Sequence, residues 1–198
     1  MFDQPVWYAA YGSNLSAERF LLYLAGGRPA DGQRTHPGAR DPSPPRDDRV
    51  AHVPGVMGFA GRSLRWSGGT SVLHHEAPGR SIARLWSIST EQVADVAAQE
   101  CALEPGEFDV DLDEVVARRS VVCSPRRYGR LVHLGHREGR PIVTMTSPRA
   151  TEPAEPGPEY LAVVRAGLLE CGMTPAEADT YLARRPGVGL VRADGGGR

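Results

Sequence analysis

The chain has 198 residues, 40% of them apolar, and a net charge of −1. That is enough for one compact domain with a core, and it offers no electrostatic case for nucleic acid or an anionic membrane as partner. All 23 basic residues are arginine, so lysine chemistry is excluded, both the Schiff base and the phosphate-loop lysine. Three dispersed cysteines, Cys101, Cys123 and Cys171, form no CxxC pair and support neither a disulfide scaffold nor a thiolate zinc site. With no apolar run of bilayer length and no secretory leader pattern at the start, the expectation is a cytoplasmic protein.

Val6 to Tyr11 reads as a strand that stops at Gly12-Ser13-Asn14, where a helix carrying Phe20, Leu21 and Leu24 on one side begins. So short a strand-to-helix turn leaves backbone N–H groups aimed at one point and suits an anion. On residue types alone, the plainer reading of Ser13 and Asn14 is that they cap that helix. Residues 26–50 are rich in Gly, Pro, Arg and Asp and predict a flexible insertion, and residues 191–198 a disordered tail, leaving 1–190 as a single domain.

One or two strands are predicted over Val53–Leu64, and a short one over Thr70–Leu73 after the Trp66-Ser67-Gly68-Gly69 turn. In Ile82–Ile88, Ile82, Arg84, Trp86 and Ile88 share a side. Ser89 and Gln92 stand at capping-box spacing and start a helix. The β-branched run Val115–Cys123 predicts a strand. Tyr128–Leu134 and Ile142–Thr146 flank a hairpin turn. Two helices close the pattern. One runs from Pro158 to Cys171 with Gly172 as its stop; the other is capped by Thr174, with Pro175 at its first position and Glu177 completing the box. Hairpins mixed with strand–helix alternation imply an α+β fold, a mixed sheet with helices packed on it.

In the helix after Ser89, Val93, Val96 and Ala97 form an apolar stripe that reaches Glu100 at i+7. An inward carboxylate is costly unless paired or protonated, and desolvation raises its pKa toward that of a general base. The structural alternative is that Glu100 frays outward or pairs with an inward arginine such as Arg84. Glu91 and Asp95 read as solvated charges on other faces. His74-His75 and His133/His136 have no chelating partners nearby, so no metal site is expected.

Tyr11-Gly12-Ser13-Asn14-Leu15 ending the first strand, with an inward Glu100 about ninety residues on, resembles the γ-glutamylcyclotransferase family. "WSGGTSVL" (66–73), "ARLWSIS" (83–89) and Pro158, Tyr160, Gly167, Glu170 and Gly172 match further family patterns in order. The chain departs from them at Cys101, where glycine often follows the glutamate, and near Thr146-Ser147, where a late tyrosine is common. The resemblance implies a small mixed fold around a partly closed barrel. It also implies conversion of a γ-glutamyl compound to 5-oxoproline without cofactor, with Tyr11, Gly12, Ser13, Asn14 and Leu15 holding the substrate and Glu100 as base. Glutathione-specific members carry Leu where this chain has Asn14, so the expected substrate is a γ-glutamyl dipeptide or a γ-glutamyl amine, the latter including deprotection in a biosynthetic pathway. A non-catalytic ligand-binding domain is the rival of another class. The partner is then a small molecule, and the chain itself a monomer or homodimer.

Overall fold

The computed structural model describes residues 5–29 and 35–189. The expected tail and residues 30–34 of the expected insertion lie outside that range. Strand β1 (Pro5–Ala10) opens the fold, followed by a single 3-10 turn (Ser13–Leu15) and α1 (Ala17–Ala25). Then come β2 (Asp47–Pro54), β3 (Val56–Ser63), β4 (Gly68–His74), β5 (Arg80–Ser89) and α2 (Thr90–Glu100). The rest is α3 (Leu112–Arg118), β6 (Ser120–Val122), β7 (Arg130–Arg137), β8 (Arg140–Thr146), α4 (Pro158–Glu170) and α5 (Pro175–Ala183).

Six strands form one mixed sheet in the order β2-β5-β1-β8-β7-β6. β1 sits at its centre, antiparallel to β5 and parallel to β8. Its side chains alternate as the pleat requires. Val6, Tyr8 and Ala10 enter a core shared with α1 and α2, while Trp7 and Ala9 enter the core on the other face. A stacked column of Tyr8, Phe20 and Trp86, at centroid distances of 5.5 and 4.7 Å, fixes α1 on the sheet. Leu21, expected on the same side as Phe20, instead points outward at 38% exposure.

The β3–β4 hairpin is a separate two-stranded sheet. It joins the larger one through hydroxyls that stand in for ladder bonds. Ser81 Oγ accepts from Met57 N–H (2.7 Å) and donates to Gly55 C=O (2.9 Å), tying β3 to β5. Thr146 Oγ accepts from Leu73 N–H (2.9 Å) and donates to Leu73 C=O (3.0 Å), tying β4 to β8. The ring β5-β1-β8-β4-β3 thereby closes in part, consistent with a small mixed β-barrel. α4 and α5 cover its hairpin side through Tyr160, Val164, Leu168, Ala178 and Leu182 against Met57 and Phe59.

Three local expectations are corrected. Val115 belongs to α3 rather than a strand: the Asp111 carboxylate accepts from Glu114 N–H at the helix start, and only Ser120–Val122 is extended. In this position the cap outweighs β-branched propensity. Residues 47–50 are part of β2, paired along β5, rather than a loose insertion. Residues 35–46 pack down as well: Gly27 and His36 form a bridge, and Ala39 N–H bonds Leu24 C=O at 2.8 Å.

The third correction concerns α2. Asp95 is completely buried, not solvated. Its carboxylate accepts from Arg40 N–H and Nε and from Gly106 N–H at 2.8–3.2 Å. Gln92 Nε2 reaches Asp41 and Ser43 carbonyls, and Gln99 Nε2 reaches those of Tyr23 and Gly38. The 38–43 segment thus covers the polar side of α2. It is held by hydrogen bonds, which leave no hydrophobic period in the sequence. Glu91 is about half exposed, as expected, and pairs with Arg40 at 3.1 Å.

Candidate active site

A cavity of about 360 Å³ opens where the end of β1, the 3-10 turn, α1, the end of α2 and the β3–β4 hairpin meet. Tyr11, Gly12, Ser13, Asn14 and Glu100 all line it. Leu15 does not: it is fully buried in the core beneath the turn.

The turn is clamped from below. Trp86 Nε1 donates to Asn14 C=O (3.1 Å), and Arg84 Nη1 to Leu15 C=O (3.3 Å). Leu15 and Ser16 N–H groups close the turn on Gly12 and Ser13 carbonyls. The N–H groups of Gly12, Ser13 and Asn14 remain, and no described residue accepts from them in the bonds outside helices and strands. Ser16 offers α1 no side-chain cap; Glu170 of α4 does so instead, accepting from Ala17 N–H at 2.8 Å. Gly12 is needed for space. A Cβ there would lie 2.8 Å from Ser71 Cβ and Oγ and 3.2 Å from Tyr160 Oη. Its φ of −121° is not one that demands glycine.

Glu100 is on the side of α2 that the stripe indicates, and it is neither frayed outward nor paired with Arg84. Arg84 instead bridges Asp48 (2.8 Å) and Glu170 (2.9 Å) while stacking on Trp86. Glu100 Oε1 accepts from Asn14 Nδ2 at 3.2 Å. The residue is only half-buried by surface, its open part facing the cavity, yet protein shields the carboxylate from bulk water. That desolvation raises its pKa; hydrogen bonds from Tyr23 and Asn14 and the charges of Arg19 and Arg65 offset part of the rise. Asn14 is 5% exposed, and its Oδ1 has no hydrogen-bond partner among the described residues. A buried orphan acceptor is an expected place for a ligand donor.

Sequence reasoning did not find the hydroxyls and cations that complete the wall. Tyr8, Tyr23, Tyr128 and Tyr160 line it, all with pKa values pushed up by burial, so each phenol stays protonated. Tyr8 and Tyr23 were visible only as polar tips at core positions of β1 and α1. Tyr160 Oη accepts from Ser71 N–H (3.1 Å) and donates to Ser71 Oγ (3.0 Å). Tyr128 Oη meets Thr70 Oγ (2.9 Å) and donates to Ser71 C=O (3.0 Å). Tyr128 thus puts a phenol in the cavity although position 146 is a threonine. The Cys101 departure is also accommodated: its φ of −84° suits any residue, and the left-handed residue of the helix exit is Ala102, at φ 54°. Arg19, Arg65 and Trp66 close the hairpin side. The Trp66-Gly69 turn is therefore part of the cavity as well as a connection. Gly69 lets backbone approach backbone, since a Cβ there would lie 2.3 Å from Ala154 O.

No protein-family model matches the chain. Histone deacetylase 5 of Arabidopsis thaliana is 31% identical over 199 residues, covering 89% of this chain and 30% of that protein. The chain therefore spans less than a third of the curated relative it matches. Among solved structures, one described as a gamma-glutamyl cyclotransferase superposes with a TM-score of 0.55 at 19% identity, over 98% of this chain and 93% of that one. An uncharacterized human protein superposes with a TM-score of 0.55 at 18% identity, covering 93% of this chain and 90% of its own. YkqA of Bacillus subtilis gives 0.51 at 14% identity, covering 92% and 55%. The chain has the gamma-glutamyl cyclotransferase-like fold.

Proposed function

We propose that the chain cyclises a γ-glutamyl compound to 5-oxoproline, releasing the amine of the γ-amide. The observation that carries this reading is a desolvated carboxylate, Glu100, facing one cavity with the N–H groups of the strand-to-helix turn, for which no acceptor is found among the described residues.

The α-carboxylate of the γ-glutamyl group binds the N–H groups of Gly12, Ser13 and Asn14, the electropositive end of the turn. Leu15 supports the turn rather than contacting substrate, because its own N–H is consumed by Gly12 C=O. The α-ammonium sits between Asn14 Oδ1 and the Glu100 carboxylate. Asn14 thus serves twice, holding Glu100 through Nδ2 and the nucleophile through Oδ1. Glu100 takes a proton from the ammonium and frees the nitrogen lone pair. The nitrogen then attacks the γ-carbonyl carbon. A bond from nitrogen to that carbon forms; Glu100 passes its proton to the departing nitrogen, the old amide bond breaks, and the second proton of the ring nitrogen leaves with the released amine as its ammonium. The Tyr8 phenol, kept protonated by burial, donates to the carbonyl oxygen as it gains charge. An extended γ-glutamyl chain seldom brings its ends together, so anchoring both ends supplies much of the acceleration.

Purified protein incubated with γ-glutamyl dipeptides, γ-glutamyl amines and glutathione is expected to release 5-oxoproline, detected by mass. Glu100→Gln is expected to abolish it with the fold retained. Turnover by that variant at the unmodified rate rejects the assignment.

A further inference from the structure

Trp66 carries an arginine close to its ring on two counts. The Arg19 guanidinium lies 5.1 Å from the ring centroid and that of Arg65 lies 5.3 Å away. Trp66 is itself fixed, 7% exposed and packed on Tyr160 at 5.0 Å. Both arginines line the cavity and both feel the charge of Glu100. Arg19 is buried at 7% exposure, whereas Arg65 is exposed, which places it at the rim. Among the described lining residues the fixed charges are Arg19, Arg65 and Arg127 against Glu100 alone. Arg127 is turned toward Ala60 C=O, bonding it at 2.6 Å.

The cavity is therefore more cationic than a γ-glutamyl amine needs. Such a substrate carries one carboxylate and one ammonium and is neutral overall. A γ-glutamyl amino acid carries a second carboxylate on its leaving half and is a net anion. Resting on the cyclisation reading, we propose that Arg19 and Arg65, held against Trp66, clamp the carboxylate of the leaving group and select γ-glutamyl amino acids over γ-glutamyl amines. Each guanidinium has five N–H donors in a planar fork that matches a carboxylate, enough to serve a ligand beside the contacts it already makes within the protein. The geometry assigns ends as well. The turn takes the carboxylate that stays in the ring product; the arginines take the one that departs, with Arg65 next to the exit.

The test uses γ-glutamylalanine and γ-glutamylethylamine, which differ only by that carboxylate. Glu100→Gln protein, which keeps the cavity but not the base, is titrated with each by calorimetry, and unmodified protein is assayed for 5-oxoproline. About a tenfold or greater preference for the dipeptide is expected in affinity, and in kcat/KM chiefly through KM, as charge-assisted pairing predicts. Adding Arg65→Gln should shrink the preference to less than about threefold. A merely structural loss would weaken both ligands alike and leave the ratio intact. Because Arg19 is buried, Arg19→Lys accompanies it; lysine keeps the charge but loses the fork, so the preference should drop partway. Turnover without preference, or a preference untouched by Arg65→Gln, overturns the clamp and leaves the cyclisation standing. Preferential binding without 5-oxoproline keeps the clamp and discards the chemistry. If neither probe binds and none is turned over, both fall.

Discussion

Gly167 of α4 meets the strand-to-helix turn from behind, and Gly167→Ala tests whether that contact sets the position of the turn's N–H groups. An added Cβ would stand 2.5 Å from Leu15 Cβ and 2.8 Å from Ser16 N, where ordinary contact starts at 3.4 Å. The deficit to Leu15 is about 0.9 Å, and it falls on backbone-proximal atoms that no rotamer change can move. Overpacking of this kind costs about 1–3 kcal/mol, against about 1 kcal/mol gained from replacing a helical glycine. The net is a loss of about 0–2 kcal/mol, which in a domain of this size lowers Tm by up to about 8 °C. The effect on turnover should be larger. A 1 Å displacement of a positioning element costs on the order of 100-fold in rate, so kcat/KM for 5-oxoproline release is expected to fall by about that factor. Thermal melts and steady-state assays of the same preparation decide the matter. A raised Tm with unchanged kcat/KM would mean that the turn is not held by α4, and the reasoning fails.

Glu100 has a folded pKa raised above the ordinary 4.5 by desolvation, so its burial costs nothing extra at low pH, where both folded and unfolded states hold the proton. The cost appears as pH climbs from 4.5 through the raised value, and Glu100→Gln should therefore gain Tm relative to the unmodified protein over that window; an advantage that is the same at low and high pH counts against burial of the charge. The same shift moves the acid limb of kcat/KM upward, so activity should be lost as pH falls at a higher pH than for an exposed glutamate. Asp95→Asn removes the charge from a fully buried acceptor of three N–H groups, and with Arg40 half exposed the expected loss is about 2–3 kcal/mol, or about 4–12 °C in Tm. Glu91→Gln, one turn earlier and half exposed, should change Tm by less than about 2 °C, since surface pairs contribute little. Tyr160→Phe strands Ser71 N–H and should cost about 1–3 kcal/mol by the same thermal measurement.

The parts of this molecule that follow a period or a cap were legible in the sequence. The capping boxes at Ser89–Gln92 and Thr174–Glu177 are both formed, and the apolar stripe of α2 leads to Glu100 as its spacing implies. What was hidden is held by groups without a period. Asp95 looked solvated because the residues that bury it, Arg40 and Gly106, are far off in sequence and polar. The 35–46 segment looked loose because it docks through carbonyls and side-chain amides. Arg19 and Arg65 looked like any two of 23 arginines, and only the fold brings them to one tryptophan. Besides Tyr11, the tyrosines of the wall come from β1, α1, the approach to β7 and α4, a convergence that no local pattern announces.

The earliest strand of the chain is also the middle of the sheet, and one of its two neighbours is β8. Trp7 pairs with Ile142 across that boundary, and the cap on α1 comes from Glu170. β1 therefore stays unmatched on one edge until a strand 135 residues further along the chain has been made. Loop-closure entropy makes such distant pairing slow. A chain that stops before α4 lacks both the Glu170 cap on α1 and the Gly167 contact behind the turn, so a truncation there reaches a pocket built 153 residues earlier.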